Sequence, residues 1–164
     1  IVDDLDTPGQ FAEVRAALGG LDVQLIDNPD YAAGLSTSLK AGIRAVPPDC
    51  AGALVLLGDM PRIAPAHLDR LIGQFAPEES AAIVVPTHQG NRGNPILWAA
   101  GFFAEMLQLQ GDAGARLLLG RHADRICEID LGTDAIFADV DTPEALAKFI
   151  PEFRGDRKSG TQGS

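Results

Sequence analysis

Apolar runs alternate with helix-like periods along this chain. Leu54-Val55-Leu56-Leu57 is an unbroken aliphatic run and predicts a strand buried on both faces. Ala81–Val85, closed by Pro86, is another apolar strand, and Ile96–Ala99 reads as a strand. Shorter strands are expected at Val23–Ile26, Arg125–Ile129 and Ala135–Phe137. Between them lie expected helices at Phe11–Leu18, ended by Gly19-Gly20, and from Gly34 to about Val46. Ser36 or Thr37 is the expected N-cap of the latter, and Pro47-Pro48 stops it. Further helices are expected from Pro65 to about Phe75, and at Phe102–Leu109, Ala113–Leu119 and Pro143–Phe149. Asp27–Asp30 reads as a polar turn and His88–Pro95 as a polar loop. The alternation predicts an α/β fold of three α/β/α layers around a mostly parallel central sheet, Rossmann-like in class. The first expected element is a helix, whereas doubly wound nucleotide folds begin with strand, Gly-rich loop and helix. The N-terminal strand and loop are therefore read as missing from a domain spanning 1–153. Residues 154–164 carry Gly, Ser and Lys without an apolar pattern and are expected to be a disordered tail.

Composition narrows the partners. The chain has 164 residues, 46% of them hydrophobic, enough for a real core. A formal net charge of −10 argues against nucleic acid and against an anionic membrane surface, since both need basic patches. A nucleotide remains compatible, because one Mg²⁺ and a few donors outweigh the field locally. Cys50 and Cys127 are far apart and outside any CxxC pattern, so they read as free, buried thiols in a reducing cytoplasm. No run is long enough to span a membrane, and no leader pattern opens the sequence. His67, His88 and His122 lack metal-site spacing.

Five segments carry chemistry. Asp59 follows Gly58 at the carboxyl end of the first apolar run, where α/β sheets bind ligands, and Pro61 stiffens the turn. A carboxylate there can ligate Mg²⁺ and so hold phosphates; taken alone, it could equally cap the next turn. Asp139-Val140-Asp141-Thr142-Pro143-Glu144 places two acids before a helix start. With Asp59, one of them could complete a Mg²⁺ site; the other reading makes Asp141 or Thr142 an N-cap. Gly34-Leu35-Ser36-Thr37-Ser38 opens a helix whose N–H groups could meet a base edge or a phosphate, or be plainly capped. It is not a nucleophile elbow, because Ser38 stands where Gly is required. Asn91-Arg92-Gly93-Asn94-Pro95 and Gly111-Asp112-Ala113-Gly114-Ala115-Arg116 each join a tight backbone to a forked cation suited to phosphate or a planar ligand.

In this order, these segments resemble the MobA/MocA-like nucleotidyltransferases, from about Gly34 to Leu146. The resemblance implies a fold of the nucleotide-diphospho-sugar-transferase type. It also implies Mg²⁺-dependent transfer of a nucleotide to the phosphate of the molybdenum cofactor's pterin, with release of pyrophosphate. The Arg92–Pro95 and Gly111–Arg116 segments look more like the CTP-using branch than the GTP-using one. The Asp of the Gly-Asp-Met-Pro turn carries over to Asp59, with Gly58 beside it, as metal and phosphate ligand. A second metal ligand carries over to Asp141, with Asp139 as competitor. Ser36 and Ser38 are implied near the base, and Arg92, Asn94, Asp112 and Arg116 at the molybdopterin acceptor. A molybdoenzyme or chaperone partner is also implied. The family's Gly-rich LAAGxSxRMG signature is absent from these residues. A non-catalytic binding homologue and, lower, a metal-dependent sugar-nucleotide enzyme using the DxD form of Asp139–Asp141 are the competing readings.

Overall fold

Gly34, Gly90 and Gly111 adopt positive φ, a conformation open to glycine. The computed structural model describes residues 2–3, 8–112 and 114–140. Asp141, the helix expected at Pro143–Phe149 and the tail at 154–164 lie outside these residues. The chain divides into two compact units. One comprises Ile1–Ala53, Ala76–Ile83 and Trp98–Ile126; the other comprises Leu54–Phe75, Val84–Leu97 and Cys127–Ser164.

In the first unit, β1 (Val2–Asp3) pairs in parallel with β2 (Ile26–Asp27), and α1 (Pro8–Ala17) joins them. A strand therefore precedes the first helix, contrary to expectation. Two residues are too few to show as an apolar run, and only pairing with β2 reveals them. Helix α2 (Leu35–Ala45) ends at Val46, whose extended backbone is what the following proline demands. Its N-cap is Gly34, not Ser36 or Thr37. The Thr37 hydroxyl instead donates back to the Gly34 carbonyl at 2.9 Å. Ser36, Ser38 and Ile43 form the buried face of α2.

The helix expected at Phe102–Leu109 is a 3₁₀ turn, Ala100–Phe102, running into α4 (Phe103–Met106). The one expected at Ala113–Leu119 is a 3₁₀ segment, Ala115–Gly120. Both are short, and short helices do not recover the nucleation cost of a long α-helix. Trp98, Met106, Leu118 and Leu119 are buried here, and Trp98 meets the Phe102 ring edge-on at 5.9 Å.

A five-stranded sheet has the order β3 (Gly52–Val55), β6 (Ile96–Ala99), β4 (Ile83–His88), β5 (Asn91–Arg92), with β7 (Ile126–Asp130) also pairing β4. The pairing of β4 with β5 is antiparallel while that of β1 with β2 is parallel, so strand pairing is mixed within the expected α/β class. The two-face burial expected of Leu54–Leu57 belongs instead to β4 and β6, whose residues 83–87 and 96–99 are buried. Strand β3 stands at the end of the described order and stops at Val55, leaving Leu56 46% and Leu57 39% exposed.

Pro86 does not close β4. The strand runs through it, and its carbonyl accepts the Gly93 N–H at 2.9 Å. The expected loop at His88–Pro95 contains a hairpin: Thr87 pairs with Arg92 and His88 with Asn91 across Gln89 (φ 50°) and Gly90 (φ 77°). Two positive φ values define the turn that fits strand twist. Leu71, Val84 and Leu97 form the buried core of the second unit, flanked by Leu54, Phe75 and Ile129, with α3 (Pro65–Ile72) supplying Leu71. The strand expected at Ala135–Phe137 is a 3₁₀ helix, Asp134–Phe137. Thr133 caps it by accepting the Ala135 N–H at 3.2 Å, a local bond that competes with a ladder.

Candidate functional site

In the first unit, two of the chemistry-bearing segments meet. The Ser36 N–H donates to the Gly111 carbonyl at 3.0 Å. Gly34 (φ 107°) lies so close to that turn that a Cβ would fall 2.5 Å from the Gly111 carbonyl carbon and 2.8 Å from Asp112 Oδ1. Ser36 is 1% exposed, and its Oγ has no hydrogen-bond partner among the described residues. Ser38 is also buried, and its Oγ accepts from Asn28 Nδ2 at 2.8 Å. The same amide donates to Thr37 Oγ1 at 2.9 Å, while Asn28 Oδ1 accepts the Asp30 N–H at 3.3 Å. Both amide hydrogens are thus engaged, and Asn28 fixes α2 to the turn after β2. A cavity of about 510 Å³ opens beside this knot, lined by Asp27, Asn28, Thr37, Lys40 and Arg44 among others. Its size is that of a small-molecule site. Asp112 and Arg116 are exposed.

In the second unit, Asp59 occupies the turn after β3. The Val140 N–H donates to its carbonyl at 2.9 Å, which brings Asp139-Val140 alongside the Gly58-Asp59 turn. Asp59 Oδ1 is buried without a hydrogen-bond partner among the described residues. A buried carboxylate oxygen is not left unpartnered without reason, and a hard cation with oxygen ligands is one. Gly58 and Asp139 are exposed. The acids follow a 3₁₀ helix rather than the expected strand, and the Asp139 N–H donates to Phe137 at 3.1 Å.

Two arginines tie the same stretch down. Arg62 pairs with Asp134 at 2.8 Å, and its hydrogen bond holds the Asp134 carboxyl below the usual 3.8. Arg70 donates to the carbonyls of Leu131 (3.0 Å) and Asp130 (2.7 Å).

Of the loop residues, Arg92 is on β5, exposed, and bonds Glu128 at 2.6 Å. The Asn94 N–H donates to Ile136 at 3.1 Å. Gly93 is packed so tightly that a Cβ would lie 2.6 Å from Ile136 Cγ1 and from its carbonyl oxygen.

No sequence motif points to Asn28, Arg62, Arg70 or Asp134 as site residues. Thr133-Asp134 carries a recognisable capping signal, but the Arg62–Asp134 ion pair and the Arg70 hydrogen bonds join residues too far apart in sequence to show a pattern.

The model of the MobA-like NTP transferase domain matches residues 7–126. The chain belongs to that family. It is 31% identical over 125 residues to the molybdenum cofactor cytidylyltransferase of Escherichia coli (strain K12), covering 75% of this chain and 60% of that protein. The chain therefore spans less than two thirds of that relative's length. The crystal structure of Rv0371c from Mycobacterium tuberculosis H37Rv in complex with manganese superposes with a TM-score of 0.66 at 28% identity, covering 87% of this chain and 73% of that one. A nucleotidyl transferase from Methanothermobacter shares the fold, with a TM-score of 0.70 at 20% identity, covering 89% and 70%. Among the described residues, no helix is long and apolar enough to cross a membrane.

Proposed function

We propose that this chain is part of a divalent-metal-dependent nucleotidyltransferase that moves CMP from CTP to the phosphate of a molybdopterin acceptor. The observation that carries the reading is Asp59: a buried, unpartnered carboxylate oxygen on a turn bonded to the Asp139-Val140 backbone. That donor fits a hard cation, and Asp59, with Asp139 or Asp141, would hold it. The manganese in the Rv0371c crystal supports a divalent cation in this family; Mg²⁺ is the ion of this proposal. When bound, the ion neutralises charge on the triphosphate.

The chain's own residues supply position. The cavity on α2 takes the nucleoside, with Ser36 and Ser38 shaping its helix from the buried side. Gly58 lets the phosphates approach the backbone. Arg92, Asn94, Asp112 and Arg116 orient the acceptor. An oxygen of the acceptor phosphate then bonds to the α-phosphorus of CTP as the bond to the β-phosphate oxygen breaks, and pyrophosphate leaves. The attacking phosphate is already ionised, so no general base is required, and positioning with charge neutralisation accounts for catalysis.

Calorimetric titration of the chain with CTP and with GTP, each with and without Mg²⁺, tests the reading. Mg²⁺-dependent binding of CTP over GTP is expected. A preference for GTP would replace the base, and binding of neither would contradict the proposal.

A further inference from the structure

The first turn of α2 seats the Gly111–Asp112 turn of its own chain. The Ser36 N–H is taken by the Gly111 carbonyl, and the Thr37 N–H by the Gly34 carbonyl, both at 3.0 Å. Asp112 Oδ1 lies over Gly34, 2.8 Å from where a Cβ would stand. A carboxylate belongs at a helix N-terminus, where the helix dipole leaves partial positive charge. This helix start is therefore occupied from within, and is not an open cradle for a ligand's phosphate.

Only glycine permits this contact at position 34, for two separate reasons. Its φ of 107° and ψ of 168° lie in a region that side-chain-bearing L-residues scarcely enter. A Cβ would also fall 2.5–2.6 Å from the carbonyl carbon and oxygen of Gly111, which are backbone atoms and cannot swing aside as a side-chain tip can.

We propose that Gly34 is a positioning residue for the acceptor side of the site. Its bare Cα lets the Gly111–Asp112 turn lock onto α2, so the nucleotide-side helix and the acceptor-side loop move as one piece. The proposal rests on the reading above in two respects, that α2 lies on the nucleotide side and that Asp112 and Arg116 face the acceptor.

The experiment pairs amide hydrogen exchange with steady-state kinetics on the full chain, wild type against Gly34→Ala. In the wild type the Ser36 amide is protected. In Gly34→Ala it exchanges at least about tenfold faster and the amide signals of residues 111–116 shift, while the amides of β4 and β6 keep their protection. The KM for molybdopterin rises about tenfold and the KM for CTP stays within about twofold. An unprotected Ser36 amide in the wild type, or unchanged exchange in Gly34→Ala, overturns the lock. A rise in both KM values together overturns the acceptor-side role.

Should Gly34→Ala fail to fold, Gly111→Ala approaches the same junction from the other side. A Cβ there meets nothing within 4 Å, but the backbone has φ 62°, so the turn is strained without a clash. Faster Ser36 exchange in that variant supports the lock, and unchanged exchange overturns it. If the wild type turns over neither CTP nor GTP, the functional reading fails while the exchange data still decide the lock.

Discussion

At Gly93 a Cβ would enter the buried packing around Ile136, whereas at Gly34 it would strike the backbone of an exposed turn. Both glycines bring a motif loop against a distant segment, but the surroundings differ. Gly93 sits among buried neighbours, donates its N–H to Pro86 and is followed by Asn94, which donates to Ile136. Gly34 adopts a left-handed φ and contacts Gly111 and Asp112, both exposed. The same residue type thus serves core packing in one unit and loop placement in the other. Conformation and surroundings separate the two roles, because glycine alone in a sequence does not.

The comparison is sharpened first at Gly93. Gly93→Ala overpacks a buried site with no flexible tip to yield, and a loss of about 3 kcal/mol or more is expected in urea unfolding. A loss below about 1 kcal/mol would erase the contrast with Gly34. Next comes Arg116, on the loop that Gly34 holds. Arg116→Ala is expected to raise the molybdopterin KM about tenfold and to spare CTP binding; an effect on CTP alone would move Arg116 to the nucleotide side.

The smallest effect belongs to the exposed Arg62–Asp134 pair, which helps hold the stretch leading to Asp139. Asp134 has a lowered pKa in the folded state, chiefly through the Arg62 hydrogen bond. Its contribution to stability is therefore present above the usual 3.8 and fades as pH falls through the lower folded value. Exposed pairs are weak and screened. Asp134→Asn should be slightly less stable than wild type near neutral pH, with the gap closing in acid. A gap that widens in acid would reverse the assignment.

Much of this was legible in the sequence where the signal is local. The buried runs of β4 and β6, the proline at the start of α3 and the Pro47-Pro48 stop after α2 lie where pattern and backbone chemistry put them. Strand β3 misled because an aliphatic run does not say where its strand stops or whether both of its faces are covered. Residues 134–137 misled because three apolar residues suit a strand as well as a 3₁₀ turn, and the Thr133 cap decides between them. The Gln89-Gly90 turn lacks the usual Asn-Gly or Asp-Gly signature. For the site, the order of motifs pointed to the family and to Asp59. The Gly34–Gly111 lock and the Val140–Asp59 bond join segments far apart in sequence, and no local pattern encodes them.

The central claim is that Asp59 holds a divalent cation for the nucleotide. Its most direct test is calorimetric titration of CTP with Mg²⁺ into the wild type and into Asp59→Asn, a near-isosteric change that removes the charge and one ligating oxygen. Mg²⁺-dependent affinity is expected to fall at least about 100-fold, close to 3 kcal/mol, while the melting temperature stays nearly unchanged. Unchanged CTP affinity with a large drop in melting temperature would make Asp59 a structural residue and contradict the account.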